Sequence, residues 1–188
     1  MLWAHGFAAC RSERAMSGDF TGCQRKIAVT YSFRPALRQD LPLLRAWLRT
    51  PEVARWWGDP DKQAALLESD LSEPLMVMRI VSLDAHPFAY AQDYDVGSWP
   101  QPQFAELPNG SRAIDAFIGE PAMVGRGHGA AFLRLLAERL RNEGAPMIAI
   151  DPDAGNLRAR RAYRRAGFVE DRVFEIDGGE AVLMIFRD

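Results

Sequence analysis

The chain has 188 residues, a formal net charge of −2, 48% apolar residues and 26% charged residues. That length suits one domain with a sizeable core, and that composition is ordinary for a globular chain. The charge balance leaves no global basic field for nucleic acid, and no run of about 18 apolar residues supplies a membrane span, so neither is an expected partner.

Residues 1–26 mix Arg, Ser, Gly and single aromatics without a period and read as a flexible extension, with Met16 as an alternative start. No basic segment followed by an apolar one marks a signal peptide. Both cysteines, Cys10 and Cys23, fall here; they make no disulfide framework and fit a reducing cytoplasm. A single domain is expected over 27–188. Thr30 to Pro35 alternates as a first strand. Asp40 is placed to cap a helix with Leu41, Leu44, Trp47 and Leu48 on one stripe, ended by Pro51. An aromatic corner, Val53 to Gly58, and a polar helix near 61–71 follow. Residues 75–81 and 88–95 form an antiparallel hairpin across the turn at 84–87. The segment 97–111, rich in Gly, Pro, Ser and Asn, reads as a long surface loop, of a length that is often functional. Residues 172–186 form a closing hairpin turning at Asp177-Gly178-Gly179.

The centre of the chain is a short apolar strand, 113–119, followed by Val124-Gly125-Arg126-Gly127-His128-Gly129-Ala130 and an amphipathic helix, Ala130 to Arg141. Glycines at this density let backbone amides approach a ligand without Cβ interference. A helix start adds free N–H donors and a positive dipole end, which together suit a phosphate. His128 is expected to be solvated and without a catalytic role. A second buried strand, 146–151, and the run Asn156-x-x-Ala159-x-x-x-Tyr163-x-x-x-Gly167-Phe168 complete the centre. Asn156 and Tyr163 lie nearly two turns apart and share a helix face. No Cys, His and Asp grouping has metal-ligand spacing, so no metal is expected.

This order of strand, glycine loop, helix, strand and Asn–Ala–Tyr–Gly–Phe motif resembles the GNAT acetyltransferase superfamily from about Tyr31 onward. The resemblance implies an α+β, three-layer fold, with a mixed, mainly antiparallel twisted sheet flanked by helices. It implies acetyl-CoA as cosubstrate, bound between two splayed parallel central strands. Its contacts would be Phe117 and Ile118 on the strand, Val124, Gly125, Arg126, Gly127, Gly129 and Ala130 in the loop, and Asn156, Ala159 and Tyr163 on the last helix. The family loop usually opens on Gln or Arg where this chain has Val124, whose main-chain amide can still donate.

Trp56-Trp57-Gly58, Tyr90-Ala91-Gln92-x-Tyr94, Ile114-Asp115 and Asp151-Pro152-Asp153 are similar to the corresponding stretches of aminoglycoside 6′-N-acetyltransferases. That likeness implies a polycationic amine substrate bound by Trp56, Gln92, Tyr94, Asp115 and Asp151. It implies Asp115 as the base for the amine and Tyr163 as the proton donor to the leaving thiolate. An ammonium has no lone pair, so the chemistry requires a base, directly or through water. Three other readings stay open at this point. One is a siderophore-pathway lysine N-acyltransferase, a group that usually carries His where this chain has Asp115. The others are a non-catalytic CoA-binding module and a protein N-terminal acetyltransferase. A monomer or a homodimer is expected.

Overall fold

A computed structural model describes residues 30–176 and 178–187. The expected extension at 1–26 and the Asp177 turn position lie outside the described residues. β1 (Tyr31–Pro35), β2 (Met76–Leu83) and β3 (His86–Asp95) form an antiparallel meander. Asp84 and Ala85, with φ of 46° and 69°, make the two-residue turn between β2 and β3, the geometry whose twist matches a hairpin. β4 (Arg112–Ile118) adds antiparallel to β3, with Gln92 opposite Asp115. β5 (Ile148–Ile150) lies parallel to β4, and β7 (Gly179–Phe186) lies antiparallel between β5 and β6 (Phe168–Ile176). The sheet therefore runs β1-β2-β3-β4-β5-β7-β6. The mixed, mainly antiparallel architecture expected from the sequence is present.

The strand period of two sorts the central side chains onto opposite faces. Ile114 of β4 packs with Phe132, Leu133 and Leu136 of α4 (His128–Asn142). Phe117, of the opposite parity, packs with Leu44, Trp47 and Val53 under α1 (Leu41–Leu48), α2 (Pro51–Trp57) and α3 (Pro60–Asp70). Asp115 shares the parity of Phe117 and so belongs to that second face. α5 (Leu157–Ala166) contributes Ala166 to the α4 side, and Gly167, at φ 105°, ends it in the left-handed conformation open to glycine. Gly119 has a packing reason: a Cβ there would stand 2.1 Å from the Trp47 ring. Buried Asp93 on β3 is held by Arg79 from β2 and by Arg112 from β4, whose Nε lies 2.9 Å away.

Four local expectations are corrected. Asp40 does not cap α1; its carboxylate accepts the Leu37 amide at 2.9 Å and two guanidinium N–H groups of Arg34 at 2.7 Å, closing the turn that precedes the helix. Pro51 opens α2 rather than merely ending α1, because Thr50 takes the extended conformation that a following proline favours and Pro fits the first helical position. The Trp56-Trp57 corner is accordingly the last turn of a helix. The 97–111 loop is not confined to the surface. It makes a 3-10 turn at Pro102–Phe104 and buries Gln103 and Phe104, which are 4% and 2% exposed.

Candidate active site

β4 and β5 pair only through Arg112 with Ile148 and Ala113 with Ala149. Beyond that point they separate, leaving unpaired strand edges that must find another partner if water is displaced. The resulting cleft offers about 400 Å³. Its floor is Asp115 to Ile118, with Ile150 and Asp151 across the gap; Val124, Gly125, Gly127, Gly129 and Ala130 form one end. Gly125 and Gly127 hold φ of 79° and 89°, and a Cβ on either would meet no protein atom within 4 Å. It would point into open space that a ligand can fill. The amides of His128, Gly129 and Ala130 precede the first bond of α4, from Ala131 N–H to Gly127 O at 3.2 Å, and are the orphan donors of a helix start.

His128 departs from the sequence expectation. It is half-buried rather than solvated, its Nδ1 shares a 2.8 Å hydrogen bond with Tyr31 Oη, and its ring packs edge-on against Tyr31 and Phe88. It ties the glycine loop to β1 and β3. Arg126 turns back to the Ala122 carbonyl at 3.3 Å and stands outside the cleft wall.

At the other end two carboxylates meet. Asp115 accepts a 2.9 Å hydrogen bond from Gln92 Nε2, and Gln92 Oε1 in turn accepts from the buried Tyr90 hydroxyl at 2.5 Å. Asp151, just past β5, accepts from Gln103 Nε2 at 3.0 Å. Burial raises the Asp115 pKa, against the pull of the Gln92 amide. Burial first, and then the charge of Asp115, lifts Asp151 from an ordinary value of about 4 to about 7, while Gln103 draws it down. Tyr163 lines the same space, and its hydroxyl is pushed well up by burial and by both carboxylates, so it stays protonated at neutral pH. Asn156 caps α5 by accepting the Ala159 amide at 3.1 Å while also lining the cleft.

Trp56, Val53, Glu52 and Gln63 wall the side of α2 and α3. Trp57 packs edge-on against Phe117 at 4.8 Å, and the Arg55 guanidinium sits 5.0 Å over Trp56. The structure thus brings together Trp56, Asp115, Phe117, Ile118, Val124, Gly125, Gly127, Gly129, Ala130, Asp151, Asn156, Ala159 and Tyr163. Gln92 and Tyr94 lie behind the wall, buried, where Gln92 holds Asp115 and Tyr94 Oη accepts from Gln101 Nε2 at 3.0 Å. Gln101 and Gln103 escaped the sequence reading, because nothing in a Pro-rich loop announces that two of its amides turn inward. Among the described residues no group of His, Cys, Asp and Glu is arranged to hold a metal ion.

Residues 36–176 match the family described as "Acetyltransferase (GNAT) domain". The chain belongs to the GNAT acetyltransferase family. This GNAT domain is 32% identical over 186 residues to an aminoglycoside N(6′)-acetyltransferase type 1 of Serratia marcescens, with 86% of this chain and 90% of the relative covered. A Klebsiella pneumoniae protein of the same name is 32% identical over 167 residues, covering 82% of this chain and 81% of the relative. The structure of AAC(6′)-Ib in complex with paromomycin and acetyl-CoA superposes with a TM-score of 0.72 at 30% identity, over 83% of this chain and 92% of that one. The separated β4–β5 pair and the glycine loop at the start of α4 lie within the stretch matched to that family.

Proposed function

We propose that this GNAT domain transfers the acetyl group of acetyl-CoA to the 6′-amine of an aminoglycoside and so confers aminoglycoside resistance, acting in the cytoplasm. The observation that carries the reading is the pair Asp115 and Asp151, set beside Tyr163 at the end of a cleft whose other end is a glycine loop. Two half-buried carboxylates lining one cleft suit a substrate that brings several ammonium groups. The relatives named as aminoglycoside N(6′)-acetyltransferases support the same substrate class.

Acetyl-CoA supplies a thioester whose carbonyl accepts the amine and whose thiolate departs. The chain's own residues do the rest. The amides of the 124–130 loop hold the diphosphate, and the open edges of β4 and β5 hold the pantetheine amides. Asp151, ionised as the polycation enters, holds one ammonium. Asp115 takes a proton from the reacting ammonium and leaves a neutral amine with a lone pair. The new C–N bond forms as the C–S bond breaks; Tyr163 Oη gives its proton to the sulfur, and the second proton that the nitrogen sheds on becoming an amide returns, directly or through water, to the Tyr163 oxygen. Desolvation brings the Asp115 pKa closer to that of the amine, which makes the transfer less uphill than it would be for an exposed aspartate.

The test is acetyl-CoA turnover with kanamycin, tobramycin, amikacin, gentamicin and a side-chain-hydroxylated lysine. Turnover with aminoglycosides and none with the lysine derivative is expected. Turnover with the lysine derivative alone would overturn the reading.

A further inference from the structure

The 97–111 loop carries one contact that reaches the chemistry. We propose that Gln103 is a positioning residue for acetyl transfer, its amide fixing the Asp151 carboxylate in the cleft without neutralising its charge. This rests on the functional reading above.

Gln103 is buried, 4% exposed, and its Nε2 donates both to Asp151 Oδ2 at 3.0 Å and to Gln101 Oε1 at 2.7 Å. Gln101 Nε2 continues the chain to Tyr94 Oη at 3.0 Å. The backbone carbonyl of Gln103 accepts from Arg172 Nη2 at 3.0 Å, and Arg172 Nη1 pairs with Glu106 at 2.8 Å, so β6 ties the loop down at Gln103 and again at Glu106. The arrangement repeats on the neighbouring carboxylate, where Gln92 Nε2 donates to Asp115 Oδ2 and Tyr90 backs Gln92. Each carboxylate is thus held by a glutamine amide that a tyrosine of β3 supports, directly or through Gln101.

The choice of donor has a chemical consequence. An arginine or lysine in that place would pair with the carboxylate and cancel the negative charge that an ammonium seeks. An amide donates a hydrogen bond and carries no charge, so orientation is gained and the anion is kept. The titratable groups that interact with Asp151 are Asp115 from β4, Tyr94 from β3 and Tyr163 from α5, while Arg158 of α5 and Asp153 line the same cleft. Among these influences Asp115 and burial favour the protonated form, and the Gln103 amide favours the anion.

The experiment compares the pH dependence of kcat/KM for kanamycin in the parent, Gln103→Met and Gln103→Glu, because that profile reports groups of the free enzyme. Gln103→Met keeps the length and removes the donor. Its acidic limb should move up by about one pH unit, as expected when a charged group loses one hydrogen bond, so the ratio of rates at low and high pH falls about tenfold. Gln103→Glu adds a carboxylate beside Asp151 and should move the limb at least as far. The folded fraction of each variant, read by circular dichroism at every pH, is divided out of the rates, so a remaining shift of the limb separates positioning from a merely structural role. Coincident acidic limbs in folded variants would overturn the proposal. Carbon-13 titration of the aspartate carboxyls, with Asp151 assigned by its absence in Asp151→Asn, reads the same contact without turnover. A parent that acetylates no amine would defeat the functional reading, whereas an Asp151 midpoint unmoved by Gln103→Met would defeat this proposal alone.

Discussion

The two ends of the cleft are built from different material. The end proposed for acetyl-CoA, the donor end, is main chain: a glycine loop, the first amides of α4 and the unpaired edges of β4 and β5. The end proposed for the amine, the acceptor end, is side chains drawn from five separate places, Trp56 on α2, Gln103 in the 97–111 loop, Asp115 on β4, Asp151 after β5 and Tyr163 on α5. Backbone amides have fixed partial charges and do not titrate. Carboxylates change with pH, with salt and with every neighbour. The donor end should therefore fail through shape and the acceptor end through charge.

The largest effect expected is that of Asp115→Asn. It preserves the acceptor for Gln92 and removes the proposed base, so kcat/KM for an aminoglycoside should fall by roughly 10²–10⁴-fold with acetyl-CoA affinity nearly intact. An equal loss of acetyl-CoA affinity, read by calorimetry, would erase the distinction between the two ends.

Gly127→Val attacks the other end. Its side chain would meet no protein atom near the Cβ, but it would stand on a residue at φ 89°, a conformation unfavourable to any branched residue, within a loop that lines the cleft. Acetyl-CoA affinity should drop by about tenfold or more, a change of about 1.4 kcal/mol or greater. A folded Gly127→Val protein that binds acetyl-CoA as the parent does would remove the loop from the donor site.

Salt should divide the ends less sharply. Raising ionic strength from 0.1 M to 1 M shortens the Debye length from about 10 Å to about 3 Å, and the KM for an aminoglycoside should rise several-fold. The KM for acetyl-CoA should move less. Equal sensitivity of both would contradict a charge-built acceptor end.

The smallest effect is on stability. Folded Asp151 keeps its proton to about pH 7, whereas the unfolded chain releases it near pH 4. Between those values the native state binds more protons than the unfolded state, so this group's contribution to stability declines as pH rises through the window. Asp151→Asn should raise Tm at about pH 8 by a few degrees and change it little at about pH 4, since about 2–4 °C accompanies each kcal/mol in a domain of this size. A Tm difference independent of pH would argue against the perturbed carboxyl.

The asymmetry also explains what could be read in advance. The donor end was legible because it is local: the glycines, the helix they open and the Asn156–Tyr163 spacing occupy contiguous stretches. The paired strands around α4 were legible for the same reason. Asp115 and Asp151 were legible as carboxylates beside apolar strands, but their hydrogen-bond partners were not. Gln103 reaches Asp151 across 48 residues of sequence, and no period or composition encodes such a contact. Gln92 was assigned to the substrate, whereas its amide faces Asp115, because the parity of two paired strands placed them side by side. His128 was misread because its partner Tyr31 lies 97 residues away.

The account stands most directly on where the acetyl group goes. Kanamycin incubated with acetyl-CoA and the protein should yield one product, and carbon–proton NMR of that product should place the acetyl group on the 6′-nitrogen. Acetyl on a different nitrogen or on a hydroxyl, or kanamycin recovered unchanged while a hydroxylated lysine is acylated, would contradict it.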